Sequence, residues 1–485
     1  MSRADDWRSA PGNQGNDDVI ETCPPLISTR GRAPQASFAD VLLAGLAPDG
    51  GLYLPQAWPQ FSAAQISGFA NRPYNDVACE ILNRFAGDSF TRDELSADID
   101  SAYATFDDPR IAPLVEIEPD LFLMELFHGP TLAFKDVAMQ VLGRLFARAL
   151  AKRGGRATVV CATSGDTGSA AIAALGGLPN IQLFVLHPKD RVSDVQRRQM
   201  TTCEHSNVHN IALEGTFDDT QAIVKGLFAA SDFAGAVNLT AVNSINFARI
   251  AAQCVYYFTA TARLGRAATF VVPTGNFGDV FAGEAAMRMG MPIAKLVIAT
   301  NANDILARTL RDGVYAVGAV QPSLSPSMDI QVASNFERAL FEASGRDTVW
   351  LSGAMLAFAR EQRLTIPDNV LSALRARYSA LACSDEQTLD IVRRVHTQSG
   401  RLIDPHTAVG LHAAYQMKER NGEPTVVLAT AHPAKFPAAV EQATGAVAHL
   451  PARLAGLHAG AEKFIVLRND KALVRAYIEA KLARP

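Results

Sequence analysis

Cysteine is scarce in this 485-residue chain, and its six copies (Cys23, Cys79, Cys161, Cys203, Cys254 and Cys383) lie far apart with no CxxC pair. That spacing excludes a zinc ribbon and a disulfide framework. It implies reduced thiols and a cytoplasmic setting. No apolar run approaches the ~18 residues of a membrane-spanning helix. The N-terminus carries Arg3 and Arg8 without an apolar stretch behind them, so no secretory signal is expected. Charge is nearly balanced, at −4. Without a basic excess or an acidic block, neither nucleic acid nor a membrane surface is an expected partner. Cys203, His205 and His209 fall on or before a strand-like run and lack the spacing of a metal site, so no metal is expected.

What remains is the composition of an ordinary folded protein, 48% hydrophobic and 19% charged. The length suits about three domains of roughly 150 residues. Residues 1–24 are rich in Asp, Asn, Gly, Ser and Arg, and their composition predicts a disordered tail. A strand-like run at 26–29, the turn PDGGLYLP and helical stretches at 74–85 and 92–106 make 25–110 an N-terminal mixed α/β domain. From about residue 111 to 485 short apolar runs alternate with Ala-rich helical ones. Strands are predicted at 121–126, 158–162, 182–186, 208–213, 270–273, 295–300 and 425–429. Helices are predicted at 137–153, 168–175, 216–230, 247–264 and 278–289. This alternation is the pattern of an α/β fold with parallel sheets and helices on both faces. A smaller α/β subdomain is expected at about 155–255, and 305–400 reads as a mostly helical insertion.

In parallel sheets, ligands bind beyond the carboxyl ends of the strands, so the strand-to-helix turns carry the chemistry. Three stand out. In Thr274-Gly275-Asn276-Phe277-Gly278-Asp279 two glycines open the backbone before a helix N-terminus, which makes an anion site built of N–H groups. An ordinary capped glycine turn would look the same. Thr163-Ser164-Gly165-Asp166-Thr167-Gly168 is similar and lacks the lysine of a phosphate-binding P-loop; it suits a carboxylate or phosphate, or simply caps its helix. In HGPTLAFKD, Lys135 stands among Leu132, Ala133, Phe134, Val137 and Ala138. Most lysines are solvated, but burial here would favour the neutral amine needed to condense with an aldehyde. Two anion sites and one such amine suit an aldehyde cofactor carrying its own phosphate, as pyridoxal 5′-phosphate does.

Ten strings occur in order along the chain: ISTRG (27–31), DGGLYLP (49–55), HGPTLAFKD (128–136), TSGDTGSAA (163–171), VNSINFARI (242–250), PTGNFGD (273–279), ATNANDIL (299–306), SMDIQVASNFERALFE (327–342), DPHTAVG (404–410) and ATAHPAKF (429–436). On these the chain resembles the threonine synthase family, in its bacterial and fungal branch. The resemblance implies a fold-type II pyridoxal-phosphate enzyme of the tryptophan-synthase β-like fold, and the conversion of O-phospho-L-homoserine and water to L-threonine and phosphate. It implies that Lys135 holds the cofactor as a Schiff base. Gly275, Asn276, Phe277, Gly278 and Asp279 cradle the cofactor phosphate, and Thr430 meets the pyridine nitrogen. Thr163, Ser164, Asp166 and Thr167 become candidates for the substrate carboxylate and the cofactor hydroxyl. Ser244, Asn246 and Arg249 become candidates for the substrate phosphate, and an arginine fork suits phosphate geometry. His432 and Lys435 receive no role, and Asp404-Pro405-His406 either lines the site or caps a helix. The strings do not exclude a related phospho-lyase releasing 2-oxobutyrate; a metabolite-binding homologue without catalysis is the other alternative, and Lys135 argues against it. The strings leave the oligomeric state open.

Overall fold

The computed structural model describes residues 24–417 and 422–483. Most of the 1–24 tail therefore lies outside the described residues. The N-terminal part pairs Leu26–Ser28 antiparallel with Tyr53–Pro55. Helices Phe38–Ala44, Tyr74–Ala86 and Arg92–Tyr103 pack around that pair. Their starts are set locally. Ser37 with Asp40, and Thr91 with Glu94, form reciprocal capping boxes that satisfy the first free N–H groups.

Two sheets follow. The larger has six strands in the order Tyr378–Ala382, Ile293–Thr300, Ala268–Pro273, Thr425–Ala429, Leu121–Glu125 and Leu114–Glu118. All neighbours are parallel except the last pair. The smaller sheet is wholly parallel and runs Ile465–Arg468, Val208–Glu214, Ile181–Pro188, Ala157–Ala162 and Leu239–Thr240. Ala268–Pro273 and Thr425–Ala429 are buried at every residue, as strands covered on both faces must be. The helix Phe247–Leu264 is buried continuously from Phe247 to Ala262. It packs against the helices Tyr74–Ala86, Lys135–Lys152 and Gly278–Arg288 and so ties the N-terminal part to both strand-to-helix regions. Among the described residues no helix is long and apolar enough to cross a membrane.

Two segments depart from the sequence reading. The stretch 305–400 is not simply a helical insertion. It contributes the antiparallel pair Val314–Ala316 and Arg363–Thr365, and its strand Tyr378–Ala382 closes one edge of the large sheet. An edge strand buries only part of its surface, so YSALA lacks the continuous apolar run of its neighbour. The smaller sheet likewise extends past about 155–255, because Ile465–Arg468 returns from the C-terminal end to pair with Val208–Glu214. The helix Lys471–Leu482 then buries Val474 and Ile478 against Val160 and Phe184.

The helices Lys135–Lys152 and Asp166–Leu175 approach backbone to backbone at Gly143. A Cβ added there would lie 2.5 Å from the Ala174 carbonyl oxygen. Gly143→Val is expected to destabilise the protein by about 1–3 kcal/mol through overpacking, read as a lower urea midpoint. An unchanged midpoint would show that the two helices can separate freely.

Candidate active site

The first residues of three helices converge at the carboxyl ends of the strands. Lys135 opens the first. Its approach loop is zipped to the segment after Thr425–Ala429: the Phe134 N–H donates to the Thr430 carbonyl at 2.8 Å, and the His432 N–H to the Leu132 carbonyl at 3.0 Å. The Asp136 carboxylate accepts from the Thr131 N–H and hydroxyl at 2.8 and 2.7 Å, which closes the loop. Only glycine fits at 129, where a Cβ would fall 2.4 Å from that of Asp136. Lys135 is therefore fixed at a helix start. Its side chain is 12% exposed, with Nζ 3.1 Å from Asp166 Oδ2 and 4.7 Å from the Phe134 ring centroid. Burial drives its pKa below the ordinary lysine range; Asp166 opposes this, while Lys435 and Arg249 add to it.

Asp166 opens the second helix. Thr163 Oγ1 accepts the N–H groups of Gly165 and Gly168 at 2.9 and 2.8 Å, so its hydroxyl holds the turn. Gly165 has φ +133°, which favours glycine. The Asp166 carboxylate is the meeting point of the site. Lys435 Nζ lies 2.8 Å from Oδ1, and Gln196 donates to Oδ1 at 2.8 Å. Ser327 donates to Oδ2 at 2.9 Å. Burial alone would raise this carboxyl, but the two lysine charges outweigh it and hold the pKa well below the usual range. Asp166 is thus a counter-ion for two lysines, and its charge is wrong for a substrate carboxylate. Thr167 lines the cavity beside Lys135. Ser164 is half-buried at the turn.

The third helix follows the turn at 274–277. Phe277 has φ +64°, a left-handed conformation that turns the chain into the helix. Asn335 holds this turn from behind: its N–H and Nδ2 donate to the Asn276 carbonyl at 3.0 and 3.1 Å, and Nδ2 also donates to the Ser244 carbonyl at 3.1 Å. Among the described residues, the N–H groups of Gly275 through Asp279 donate to no protein acceptor. A Cβ at Gly275 would lie 3.0 Å from Ile330 Cδ1 and the Ser327 carbonyl, so the turn is as close to the loop at 327–330 as backbone allows.

Arg249, Ser244, Thr430, Gln253, Ser327, Met328 and His406 complete the cavity wall. Arg249 is 3% exposed, and its Nε and Nη1 have no partner. Burial lowers its pKa to about 10, against the pull of Tyr256 and Asp279. A buried guanidinium with two free donors is an anion site. His406 accepts the Ser327 N–H through Nε2 at 3.3 Å and lies 2.8 Å from Asp404 Oδ1 through Nδ1; this pattern assigns the proton to Nδ1. Asp404 also caps the helix Pro405–Gln416, so that segment both caps and lines.

Asn246, expected at a substrate phosphate, is committed elsewhere. Its Oδ1 accepts the Ala248 N–H at 3.0 Å, and its Nδ2 donates to the Leu42 carbonyl at 2.9 Å. It caps Phe247–Leu264 and anchors the N-terminal part. Sequence reasoning missed Gln196, Gln253 and Ser327; it gave Lys435 no role and left His406 between lining the site and capping a helix. Ser327 and His406 lie in strings already singled out, and Lys435 lies in ATAHPAKF, but no local spacing marks them as partners of Asp166 or of the cavity.

These residues fit pyridoxal phosphate. A buried amine faces a turn of free N–H groups, Thr430 offers a hydroxyl, and an orphaned guanidinium remains for a second anion. Among the described residues no three His, Cys, Asp or Glu side chains form a group that could hold a metal ion.

Asp279 generates a pH prediction. Burial pushes its carboxyl up to about 7, with the hydroxyls of Tyr256 and Tyr257 and the charges of Lys135 and Arg249 pulling the other way. Its Oδ2 has no partner. Between about pH 4 and 7 the folded protein then holds a proton that the unfolded chain releases, so stability falls as pH rises through that window. Asp279→Asn is expected to flatten the fall, a difference on the order of 4 kcal/mol by pH 7.5. Urea unfolding at a series of pH values checks this; parallel profiles for both proteins would refute it.

Three family models match successive parts of the chain: residues 26–103 match "Threonine synthase N terminus", 107–364 "Pyridoxal-phosphate dependent enzyme", and 407–478 "Threonine synthase, C-terminal". A threonine synthase of Pseudomonas aeruginosa is 48% identical over 456 residues, spanning 93% of this chain and 97% of its own. The crystal structure of PLP-bound threonine synthase from Brucella melitensis is similar at a TM-score of 0.92 and 50% identity, covering 95% of this chain and all of that one. The threonine synthase from yeast gives 0.89 and 36%, covering 96% and 99%. The ordered strings, the parallel-sheet fold and the site around Lys135 thus agree with these likenesses, and the chain belongs to the threonine synthase family of pyridoxal-phosphate-dependent enzymes.

Proposed function

We propose that the chain converts O-phospho-L-homoserine and water into L-threonine and phosphate, with Lys135 as the amine that holds the cofactor and then moves protons on the substrate. The observation that carries this reading is the pairing of a buried lysine amine with two separate anion sites in one cavity. One anion site, the 275–279 turn, suits the cofactor phosphate. The other, Arg249, suits a phosphate on the substrate. A substrate without its own phosphate would leave that guanidinium buried and unpaired, at a cost of several kcal/mol.

When bound, pyridoxal phosphate supplies an electron sink conjugated to the substrate α-carbon. The protein supplies the rest. Gly275 to Asp279 would hold the cofactor phosphate by backbone N–H groups at a helix N-terminus. Thr430, on the cavity wall, would hold the cofactor ring at its nitrogen; being neutral, its hydroxyl would leave that nitrogen less protonated than a carboxylate would. Thr167 and the start of the helix Asp166–Leu175 receive the substrate carboxylate. Thr163 and Ser164 shape that turn. Ser244 and Arg249 receive the γ-phosphate, which is the leaving group. The Lys135 amine, which faces the cavity, would take the proton from the substrate Cα. It then serves the adjacent carbons, which lie within reach of one side chain. An amine used both as base and as acid works best with a pKa near neutrality, the direction in which burial drives Lys135. Water then adds at Cβ. The reaction would take place in the cytoplasm, in keeping with the scattered thiols.

Lys135→Ala is expected to abolish both the visible absorbance of the bound cofactor and phosphate release, with far-ultraviolet circular dichroism unchanged. Retained phosphate release would overturn the assignment. Arg249→Met is expected to raise KM for O-phospho-L-homoserine tenfold or more, since a charge-assisted fork is lost, while cofactor absorbance persists. Chromatography of the product separates this reading from a phospho-lyase: threonine supports it, and 2-oxobutyrate with ammonia contradicts it.

A further inference from the structure

The reading above uses Lys135 as the reacting amine, and the following inference rests on it. A second lysine shares its carboxylate. Lys435 is 0% exposed. It donates to the Thr131 carbonyl at 2.7 Å and lies 2.8 Å from Asp166 Oδ1. Lys435 reaches Asp166 from the turn Pro433–Lys435, just after the strand Thr425–Ala429, and Thr131 belongs to the loop that presents Lys135. We propose that Lys435 is a positioning residue of the reaction: its buried ammonium keeps Asp166 ionised and fixed, and makes Lys135 the amine that sheds its proton.

The geometry supports this in two ways. First, the carboxylate is saturated. Lys435 and Gln196 donate to Oδ1, and Lys135 and Ser327 donate to Oδ2, which uses about all the lone-pair sites a carboxylate has. Asp166 therefore has no reason to take a proton from either lysine. When Lys135 is occupied by the cofactor, the other three donors remain, and the buried charge of Asp166 stays paired with Lys435. Second, one carboxylate cannot balance two buried ammonium groups. A net positive charge in a low-dielectric site is costly, and neutralising one amine removes it. Lys435 has two acceptors and no access to solvent. Lys135 has one, at 3.1 Å, and faces the cavity. Lys135 is the amine that can be neutral without leaving an unmet ammonium. The other charged groups nearby are Arg249 and Asp279 on the cavity wall and Asp136 beside the loop. Arg249 also disfavours charge on Lys135, so the two cations act in the same direction. A lysine that merely clasped the turn to the loop would need only the Thr131 bond and no carboxylate.

The test compares wild type with Lys435→Met, Lys435→Gln and Lys435→Arg as cofactor-loaded enzymes. Phosphate release is followed across pH together with visible cofactor absorbance. In parallel, the pH dependence of Lys135 acylation by acetic anhydride is read by mass spectrometry on the full chain stripped of cofactor. With the Met or Gln variant the acid limb of kcat and the acylation midpoint are both expected to move up by about one pH unit. Phosphate release at neutral pH should then fall about tenfold and recover at higher pH, while cofactor absorbance is kept. Lys435→Arg, which keeps the charge, should stay at the wild-type midpoint. Unmoved midpoints in a folded, cofactor-loaded variant overturn the proposal, as does an equal loss of rate at every pH. Loss of cofactor absorbance or of folding in both neutral variants also overturns it, because Lys435 would then be a structural clasp. Failure of the underlying reading is separate: wild type itself would release no phosphate, or Lys135→Ala would still release it.

Discussion

One carboxylate organises the site. Asp166 is buried at the start of its helix and accepts from a lysine of the large-sheet region, a second lysine following the strand Thr425–Ala429, a glutamine of the helix Asp194–Thr201 and a serine of the 327–330 loop. Four segments distant in sequence are thereby fixed to a single group. A charge so placed is stable only if all of its partners arrive together, because each absent donor leaves part of a buried charge unmet. The same condition makes the site cooperative with the fold. The Lys135 loop, the Asp166 turn and the 433–435 turn must take their final positions before any of them is satisfied.

The rest of the architecture serves that convergence. Parallel strands bring their carboxyl ends to one side, and each strand hands its chain to a helix whose first residue faces the cavity. Glycines at 129, 143 and 168 let backbones approach where a Cβ would meet a side chain or a carbonyl at less than 3 Å. Threonine and asparagine side chains that look reactive in sequence, Thr163 and Asn246, are used to hold turns and helix starts. Thr163 accepts two backbone N–H groups and the Asn246 amide is spent at both ends on backbone, whereas Arg249 and the 275–279 N–H groups keep donors for anions in the cavity.

Much of this is legible in the sequence. The helix Phe247–Leu264 begins after a capping asparagine and stops at Gly265, which adopts a left-handed conformation; its ends are written locally. The three turns and Lys135 are likewise local features of a strand followed by glycine and a helix. What could not be read depends on contacts between distant segments. Tyr378–Ala382 and Ile465–Arg468 are edge strands whose alternating or mixed burial resembles that of loops. Lys435 is one lysine among many until its partner across the fold is known. Asn246 offers the same chemistry whether it caps a helix or binds a ligand, and only the nearby Leu42 carbonyl decides between them.

In the proposed reaction, of two lysines on one carboxylate, Lys135 is the one that reacts. Borohydride reduction of the cofactor-loaded protein, followed by proteolysis and peptide mass analysis, tests it most directly. A single phosphopyridoxyl label, on Lys135, is the expected result. A label on Lys435, or no fixed label at all, would contradict it.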